Sequence, residues 1–490
     1  MNSTLIEAYA AEPSRGQLER VEQAFHDAGA RVGLRIMASH GGTISVRAKE
    51  LARTLVSGPI GGVVGARHLA REFRIENVVC SDIGGTSFDL ALIIGGETPI
   101  RPTPDIGRYL LNLPMVEIES IGAGTGSFVR IDPSSNRPEI GPDSAGARIG
   151  VSWRDGGLET VSVTDLDLVL GRLNPDYFLG GQVELDVEYA RHAVERQLAR
   201  PLGLDVEEAA GGIVDLFEES LRYAALARVL GKGYAPVDFS LFCYGGGGPL
   251  HVAGYTRDAG YADVLVPTWA AGFSAFGCAC ADYEYRYDMT TSIPVVTDAA
   301  GAELREAERR LAADWVDLRG RVRSEFAKSG VDDGAVEYRF LVRMQYSGQL
   351  NDIEIAAPDG DGTPNVLALV TAFEETYGKI YAHGARSPEL GYVITAAIVT
   401  GSTPIEKPVL PVEDEVAVPP LPKLSRPVWW STELGRLETP VFEQDDLRAG
   451  HCVAGPAIIE SPASTFVVPP GRAATLDRTR IFHLDTEALA

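Results

Sequence analysis

The stretch NVVCSDIGGTSFDLALIIGG, residues 77–96, constrains this chain more than any other. An apolar run ends in Asp82, a glycine turn follows at Gly84 and Gly85, and a second apolar run, FDLALII, leads to the turn glycines Gly95 and Gly96. Short apolar runs bounded by turn residues read as strands, so the segment predicts a strand, a tight turn and an antiparallel strand. Glycines in such a turn let successive backbone N–H groups face one oxyanion with no side chain in the way, and Thr86 and Ser87 add hydroxyls. Asp82, at a strand end, is placed to hold magnesium through water or to orient an attacking water, since magnesium takes oxygen ligands and keeps much of its hydration. A hairpin that needs glycine for geometry alone has the same signature. The octet Asp82 to Asp89 therefore leaves phosphate binding and plain turn chemistry both open.

A second run, YGGGGPLH at Tyr244 to His251, shifts that balance. Gly245, Gly246, Gly247 and Gly248 lie between an apolar run and a helical stretch, where they permit close approach of a flat or charged ligand and leave helix-start N–H groups for an anion. Two such turns, about 160 residues apart and each at a strand end, are what a nucleotide clamped between loops requires.

The remaining pattern is that of a globular chain. At 490 residues it exceeds the roughly 250 to 300 at which single cores stop growing, which predicts two or three domains. Residues 1–56 read as helix (Arg15 to Ala28), strand (GLRIMAS) and helix (Val46 to Leu55), the end of a domain rather than a whole one. Ser57-Gly58-Pro59 has a helix-start signature, with Ser57 as cap, and opens a helix so rich in glycine that close packing must offset its cost. Residues 116–163 predict a long irregular excursion; a helix is expected from Val206 to Leu230, a charged helix from Ala302 to Ser329, strands in VEYRFLVRMQYSGQLNDIEIAA, a helix from Val370 to Tyr381 and a strand from Val393 to Thr400. Seven prolines between Pro404 and Pro427 predict an extended strap, and the last 60 residues predict short strands with turns.

A net charge of -24 excludes a nucleic-acid surface, which needs clustered Lys and Arg. No apolar run approaches the roughly 18 residues of a membrane span, and the opening residues lack the basic flank and apolar core of a secretion signal, which together predict a cytoplasmic protein off the membrane. Five cysteines fit a reducing compartment, and Cys278 and Cys280 predict buried structural thiols.

A DxGGTSxD hairpin with a distant GGxGPLH resembles the ATPase superfamily of actin, sugar kinases and Hsp70, in its hydantoinase A and 5-oxoprolinase branch; SGPIGGVVGA, IGAGTGSF, GPDSAGA, TDLDLVLGRLNPDYFLGG and GPAIIESPASTFVVPPG extend the resemblance over nearly the whole chain. The resemblance implies an α/β fold: an ATPase domain, incomplete at its N-terminus, followed by a mixed α+β C-terminal region. Its blocks would be 1–56, the end of an N-terminal domain; 57–298, the nucleotide-binding domain; and 299–490, the C-terminal domain with its strap at 404–427. Asp82 to Asp89 would be the second phosphate loop, Gly245 to Gly248 the adenosine loop and Ser57 to Ala70 the interdomain helix. The implied catalytic residues are Asp82 and Asp89, with Asp82 also the metal ligand; Gly84, Gly85, Thr86, Ser87 and Gly245 to Gly248 would hold ATP, with magnesium or manganese.

TWAAGFSAFGCACADYEYRYD resembles the acetone and acetophenone carboxylase branch more than the hydantoinases. That implies ATP-dependent activation of a ketone and bicarbonate by phosphoryl transfer, shared with a hydantoinase B-like subunit and possibly a small third one. Two alternatives stand beside it: a hydantoinase or oxoprolinase that opens a cyclic amide with ATP, and a non-catalytic scaffold subunit. Family members carry a first DxGGT-like phosphate loop ahead of this region, and no such motif precedes residue 57. The expectation is a truncated chain, or a natural short subunit whose partner supplies that loop. His251 and His40 are weaker candidates for ligand contact, and Asp165 reads either as catalytic or as a helix cap.

Overall fold

The structure, a computed structural model, describes residues 2–296, 301–358, 360, 362–381 and 383–485. It is a mixed α/β protein in which the chain divides into two compact units that are interleaved along the sequence. The first comprises 1–57, 103–114 and 281–406; the second comprises 58–102, 115–280 and 407 onward. Of the three consecutive blocks expected from the sequence, the boundary at 56/57 falls one residue from a boundary between these units, and the boundary at 298/299 lies outside the described residues.

The second unit is built on an eight-stranded sheet. At its centre Val78–Ile83 pairs antiparallel with Phe88–Ile93 and parallel with Ser240–Tyr244, which in turn runs parallel to Asp263–Pro267. These strands are buried on both faces, which is why they read as continuous apolar runs rather than as alternation. The helix Val206–Leu230 covers one face through Ile213, Phe217 and Leu221, which join Val79, Phe88 and Leu241 in one core. The glycine-rich helix Ser57–Phe73 begins at Ser57 itself. Its glycines serve close packing: a Cβ on Gly61 would lie 2.6 Å from the Ser274 carbonyl oxygen, one on Gly65 would lie 3.1 Å from the Gly277 Cα, and one on Gly62 would collide with the Tyr244 ring.

Within 116–163 the expected irregular excursion contains strands. Ile118–Ile121 extends the sheet beside Phe88–Ile93, and Ser127–Ile131 forms a hairpin with Pro138–Ser144. The strap runs without regular structure from 407 to 423, tied along this unit by Glu413 N–H to Arg478 O (2.8 Å) and Val416 N–H to Ala449 O (2.8 Å); its last residues enter the strand Leu424–Ser431. That strand belongs to a four-stranded sheet with Gly435–Glu443 and the hairpin of Ala457–Ser461 and Ser464–Val468.

The first unit carries a six-stranded sheet backed by the helices Gly301–Lys328 and Val366–Tyr381, with Trp315, Phe326 and Phe373 in its core. Arg35–Met37 and Thr43–Ser45 form its edge. The helix expected from Val46 to Leu55 does not form; only a 3-10 turn, Leu51–Thr54, appears. The backbone groups that a helical ladder would use are taken by side chains instead. Arg15 donates to the carbonyls of Val46 and Ala48 at 3.0 Å each, and the Glu7 carboxylate accepts from the N–H groups of Leu51 (3.2 Å) and Ala52 (2.7 Å). No helix among the described residues is long and apolar enough to cross a membrane.

Candidate functional site

Asp82 and Asp89 are direct partners across the hairpin. Ser87 Oγ donates to Asp89 Oδ2 at 2.9 Å, and Ser274 Oγ reaches Asp82 Oδ2 at 3.4 Å. Burial, and then the charge of Asp89, pushes the Asp82 carboxyl up to about 6, while the Ser274 hydroxyl opposes the shift. On the neighbouring strand Tyr244 stands level with Asp82, and the chain then turns through Gly245, whose φ of 84° and contact with Asp82 leave no room for a side chain.

Three glycine turns are stapled together here. Thr125 N–H donates to Gly84 O (3.0 Å), Gly126 N–H to Gly85 O (2.8 Å) and Gly247 N–H to Ile83 O (3.0 Å). A Cβ on Gly124 would lie 2.7 Å from Gly84 O, and one on Gly126 would lie 2.7 Å from Gly85 O, so the turn at 124–126 can approach only as glycine. This turn is part of IGAGTGSF, one of the stretches that carry the family resemblance, and nothing in its sequence alone signals that it packs against the hairpin. The turn 461–464 completes the wall, with Ser464 Oγ donating to Gly246 O at 3.0 Å.

The two predicted glycine runs differ in what they offer. Gly245, Gly247 and Gly248 spend their N–H groups on Ala270 O, Ile83 O and Gly245 O. They supply space rather than donors. Gly84 N–H is likewise taken, by Ser87 O, but among the described residues the N–H groups of Gly85, Thr86 and Gly246 have no protein acceptor. Gly84 and Gly85 lie outside the left-handed region, and a Cβ on either would meet nothing nearer than 3.9 Å. Protein geometry alone does not require glycine at these two positions, which a ligand approaching the backbone would. Both line a cleft of about 220 Å³ together with Thr125, Gly246 and Gly247; Asp82, Asp89, Thr86, Ser87, Gly245 and Gly248 are not part of its lining.

Two opposed carboxylates with two hydroxyls beside them are hard oxygen donors, the set that magnesium takes when substrate phosphates and water complete its shell. Among the described residues no group of three or more His, Cys, Asp or Glu side chains could hold a metal by itself. Any metal held by this pair would need further oxygen ligands, such as phosphate or water, to complete its shell.

None of the weaker candidates lines this cleft. Asp165 closes a capping box with Ser162 and also accepts from the N–H groups of Val151 (3.0 Å) and Ser152 (2.9 Å). His251 is fully buried, with Nδ1 at 3.0 Å from Glu218 Oε1 and Nε2 at 3.4 Å from Asp167 Oδ2. His40 is buried in the first unit against Glu284; burial, with Arg53 and Arg286 nearby, lowers it to about 3. Cys280 is buried but Cys278 is exposed, against the expectation of two buried thiols, because the short helix Phe273–Cys280 turns only one face inward.

The model of the hydantoinase/oxoprolinase family matches residues 1–287, and that of its C-terminal domain matches 298–487. The acetone carboxylase beta subunit of Xanthobacter autotrophicus is 48% identical over 492 residues, covering 99% of this chain and 68% of that protein. Caprolactamase subunit alpha of Pseudomonas jessenii is 30% identical, covering 99% and 69%. A solved nucleotide-free structure of acetone carboxylase, described under the mechanism of ATP-dependent acetone carboxylation, superposes with a TM-score of 0.84 at 47% identity over 99% of this chain and 69% of its own. With both family models matched in sequence along nearly the whole chain, this protein belongs to the hydantoinase/oxoprolinase family.

Proposed function

We propose that this chain is the nucleotide-binding subunit of an ATP-dependent ketone carboxylase. The observation that carries the reading is the Gly84–Thr86 turn, where open N–H groups, uncrowded glycines and the Asp82–Asp89 pair meet within one hairpin. The likeness to the acetone carboxylase beta subunit supplies the substrate class. The adjoining phosphate and adenosine turns at strand ends of one sheet support the ATPase-superfamily fold, and the three-block division would describe its ancestry rather than its compact units.

In this reading the N–H groups of Gly85 and Thr86 bind phosphate oxygens, and Asp82, with Asp89 paired opposite it, would hold magnesium or manganese. The metal, when bound, neutralises charge on the phosphates. The γ-phosphoryl would pass from ATP to the enolate oxygen of a ketone, or to a bicarbonate oxygen, as its bond to the β-phosphate oxygen breaks and ADP leaves; the α-carbon proton lost in forming the enolate would pass to solvent. The chain contributes positioning and fixed dipoles, the main sources of catalysis in phosphoryl transfer. A hydantoinase B-like partner, possibly with a small third subunit, would complete carbon–carbon bond formation in the cytoplasm.

A second reading, ATP-dependent opening of a cyclic amide, is favoured by the caprolactamase likeness. The test is ADP release by the chain with its partner subunit, given acetone, acetophenone, caprolactam, hydantoin or oxoproline, each with and without bicarbonate. Release that needs both a ketone and bicarbonate supports the carboxylase. Release with a cyclic amide alone replaces it with the second reading, and no release with any substrate overturns both.

A further inference from the structure

The cleft beside the glycine turns is lined by two unlike sets of residues. One is bare backbone, at Gly84 and Gly85; the other is aromatic and apolar, at Leu173, Tyr177 and Phe178. Tyr177 is held from several sides. Its hydroxyl donates to Glu443 Oε1 at 3.4 Å, and Lys423 Nζ stands 4.4 Å from its ring centre. Lys423 is itself fixed between Glu443 (2.7 Å) and Glu460 (2.8 Å). Glu460, 1% exposed, also takes Arg426 and lies 3.5 Å from Asn174 Nδ2. The turn 461–464, which also lines the cleft, is pinned to Gly246, and Pro462 lies against Gly180, where a Cβ would come within 3.2 Å.

Both cations beside the aromatic set are already paired with carboxylates, so this set does not favour phosphate. An aromatic side chain fixed in the wall of a cleft instead suits a flat ring. The volume of about 220 Å³ is below the roughly 300–1,000 Å³ that encloses a drug-sized ligand, so the cleft encloses a nucleobase and the start of its phosphate chain, and the rest of the nucleotide extends beyond it.

Resting on the reading of ATP as a substrate, we propose that the nucleobase stacks on Tyr177, framed by Phe178 and the 461–464 turn, with the triphosphate running out over Gly84 and Gly85. Tyr177 is then the residue that selects a nucleotide over a bare polyphosphate. It and the 461–464 turn come from distant parts of the chain and meet only in the folded unit.

The experiment is calorimetric titration of the full chain, with its partner subunit present, by ATP, adenosine and inorganic tripolyphosphate. The variants are Tyr177→Phe, Tyr177→Ala and Tyr177→Leu. Tyr177→Phe keeps the ring and is expected to bind ATP within about threefold of wild type. Tyr177→Ala and Tyr177→Leu are expected to weaken ATP and adenosine by about tenfold to a hundredfold, with tripolyphosphate unchanged. Wild-type ATP affinity in the Leu variant, or an equal loss of tripolyphosphate, would overturn the stacking role. Tyr177→Leu preserves apolar bulk and decides the matter where Tyr177→Ala does not fold. Wild type that binds tripolyphosphate but not adenosine would sink the stacking alone; wild type that binds neither ATP nor tripolyphosphate would sink the nucleotide reading with it.

Discussion

Asp82 and Asp89 face each other as paired residues of neighbouring antiparallel strands, and the Asp82 carboxyl, largely buried, is held up at about 6. The folded value lies above the unfolded one of about 3.9, so the stability this group contributes is fully present below about pH 3.9 and is lost as pH rises through about 6. Asp82→Asn removes the burial of charge. Near neutral pH the variant is expected to be more stable than wild type by on the order of 1–3 kcal/mol, an advantage that shrinks as pH falls from about 6 towards 4. Turnover of ATP should be lost. Thermal melts across that range check the first expectation, and an Asp82→Asn protein less stable than wild type near neutral pH would contradict it.

The two glycine turns should respond in opposite ways to one added methyl group. At Gly84 or Gly85 a Cβ meets no protein atom closer than 3.9 Å, so Ala should leave stability unchanged or raise it by about 0.4–1 kcal/mol through the unfolded chain. If phosphate approaches that backbone, ATP turnover should fall by at least about tenfold. At Gly245 the positive φ and the collisions with Asp82 and Ile83 predict a loss of roughly 1–3 kcal/mol in stability. Unchanged kinetics in both Gly84→Ala and Gly85→Ala would reduce the DIGGTS turn to a plain hairpin.

The contrast shows where sequence signals end. The hairpin and the strand–glycine turn–helix–strand unit are legible because apolar runs and turn glycines act locally. The absent helix at 46–55 is not, since Glu7 and Arg15 capture its backbone groups from distant positions. The aromatic side of the cleft lies in TDLDLVLGRLNPDYFLGG and GPAIIESPASTFVVPPG, stretches that carry the family resemblance but give no sign that they meet. Asn174 and Glu460 meet across 286 positions, and Tyr177 becomes a cleft wall only because Lys423, Glu443 and Glu460 gather around it.

Behind the cleft, Arg172 bridges two carboxylates, with Nη1 at 3.3 Å from Asp167 Oδ1 and 3.4 Å from Glu218 Oε1; Asp167 is fully buried and Glu218 nearly so. Burial drives the Asp167 carboxyl upward, and the charges of His251 and Arg172 oppose the shift. Arg172→Ala leaves two carboxylates facing each other without that cation, a change expected to destabilise the second unit by about 3–5 kcal/mol. Denaturant melts measure it. A loss below about 1 kcal/mol would mean that water or protonation compensates the missing charge.

His483 carries the clearest alkaline signature. Its Nδ1 lies 2.8 Å from Asp263 Oδ2 and its Nε2 3.5 Å from Asp477 Oδ2, and hydrogen bonds to these two carboxylates raise it to about 10, against the pull of partial burial. The folded value is above the unfolded one of about 6.5, so the stabilisation is fully present below about pH 6.5 and is lost as pH rises through about 10. Since the ring is more than one-third exposed, solvent screening makes the effect smaller than the shift alone suggests. His483 pairs the strand Ile481–Leu484 with Asp263–Pro267, the strand that follows the Gly245–Gly248 turn. His483→Gln should therefore lower the melting temperature near pH 7, and the gap from wild type should close as pH passes about 10. A gap of constant size across that range would assign the histidine a packing role, with no part for its charge.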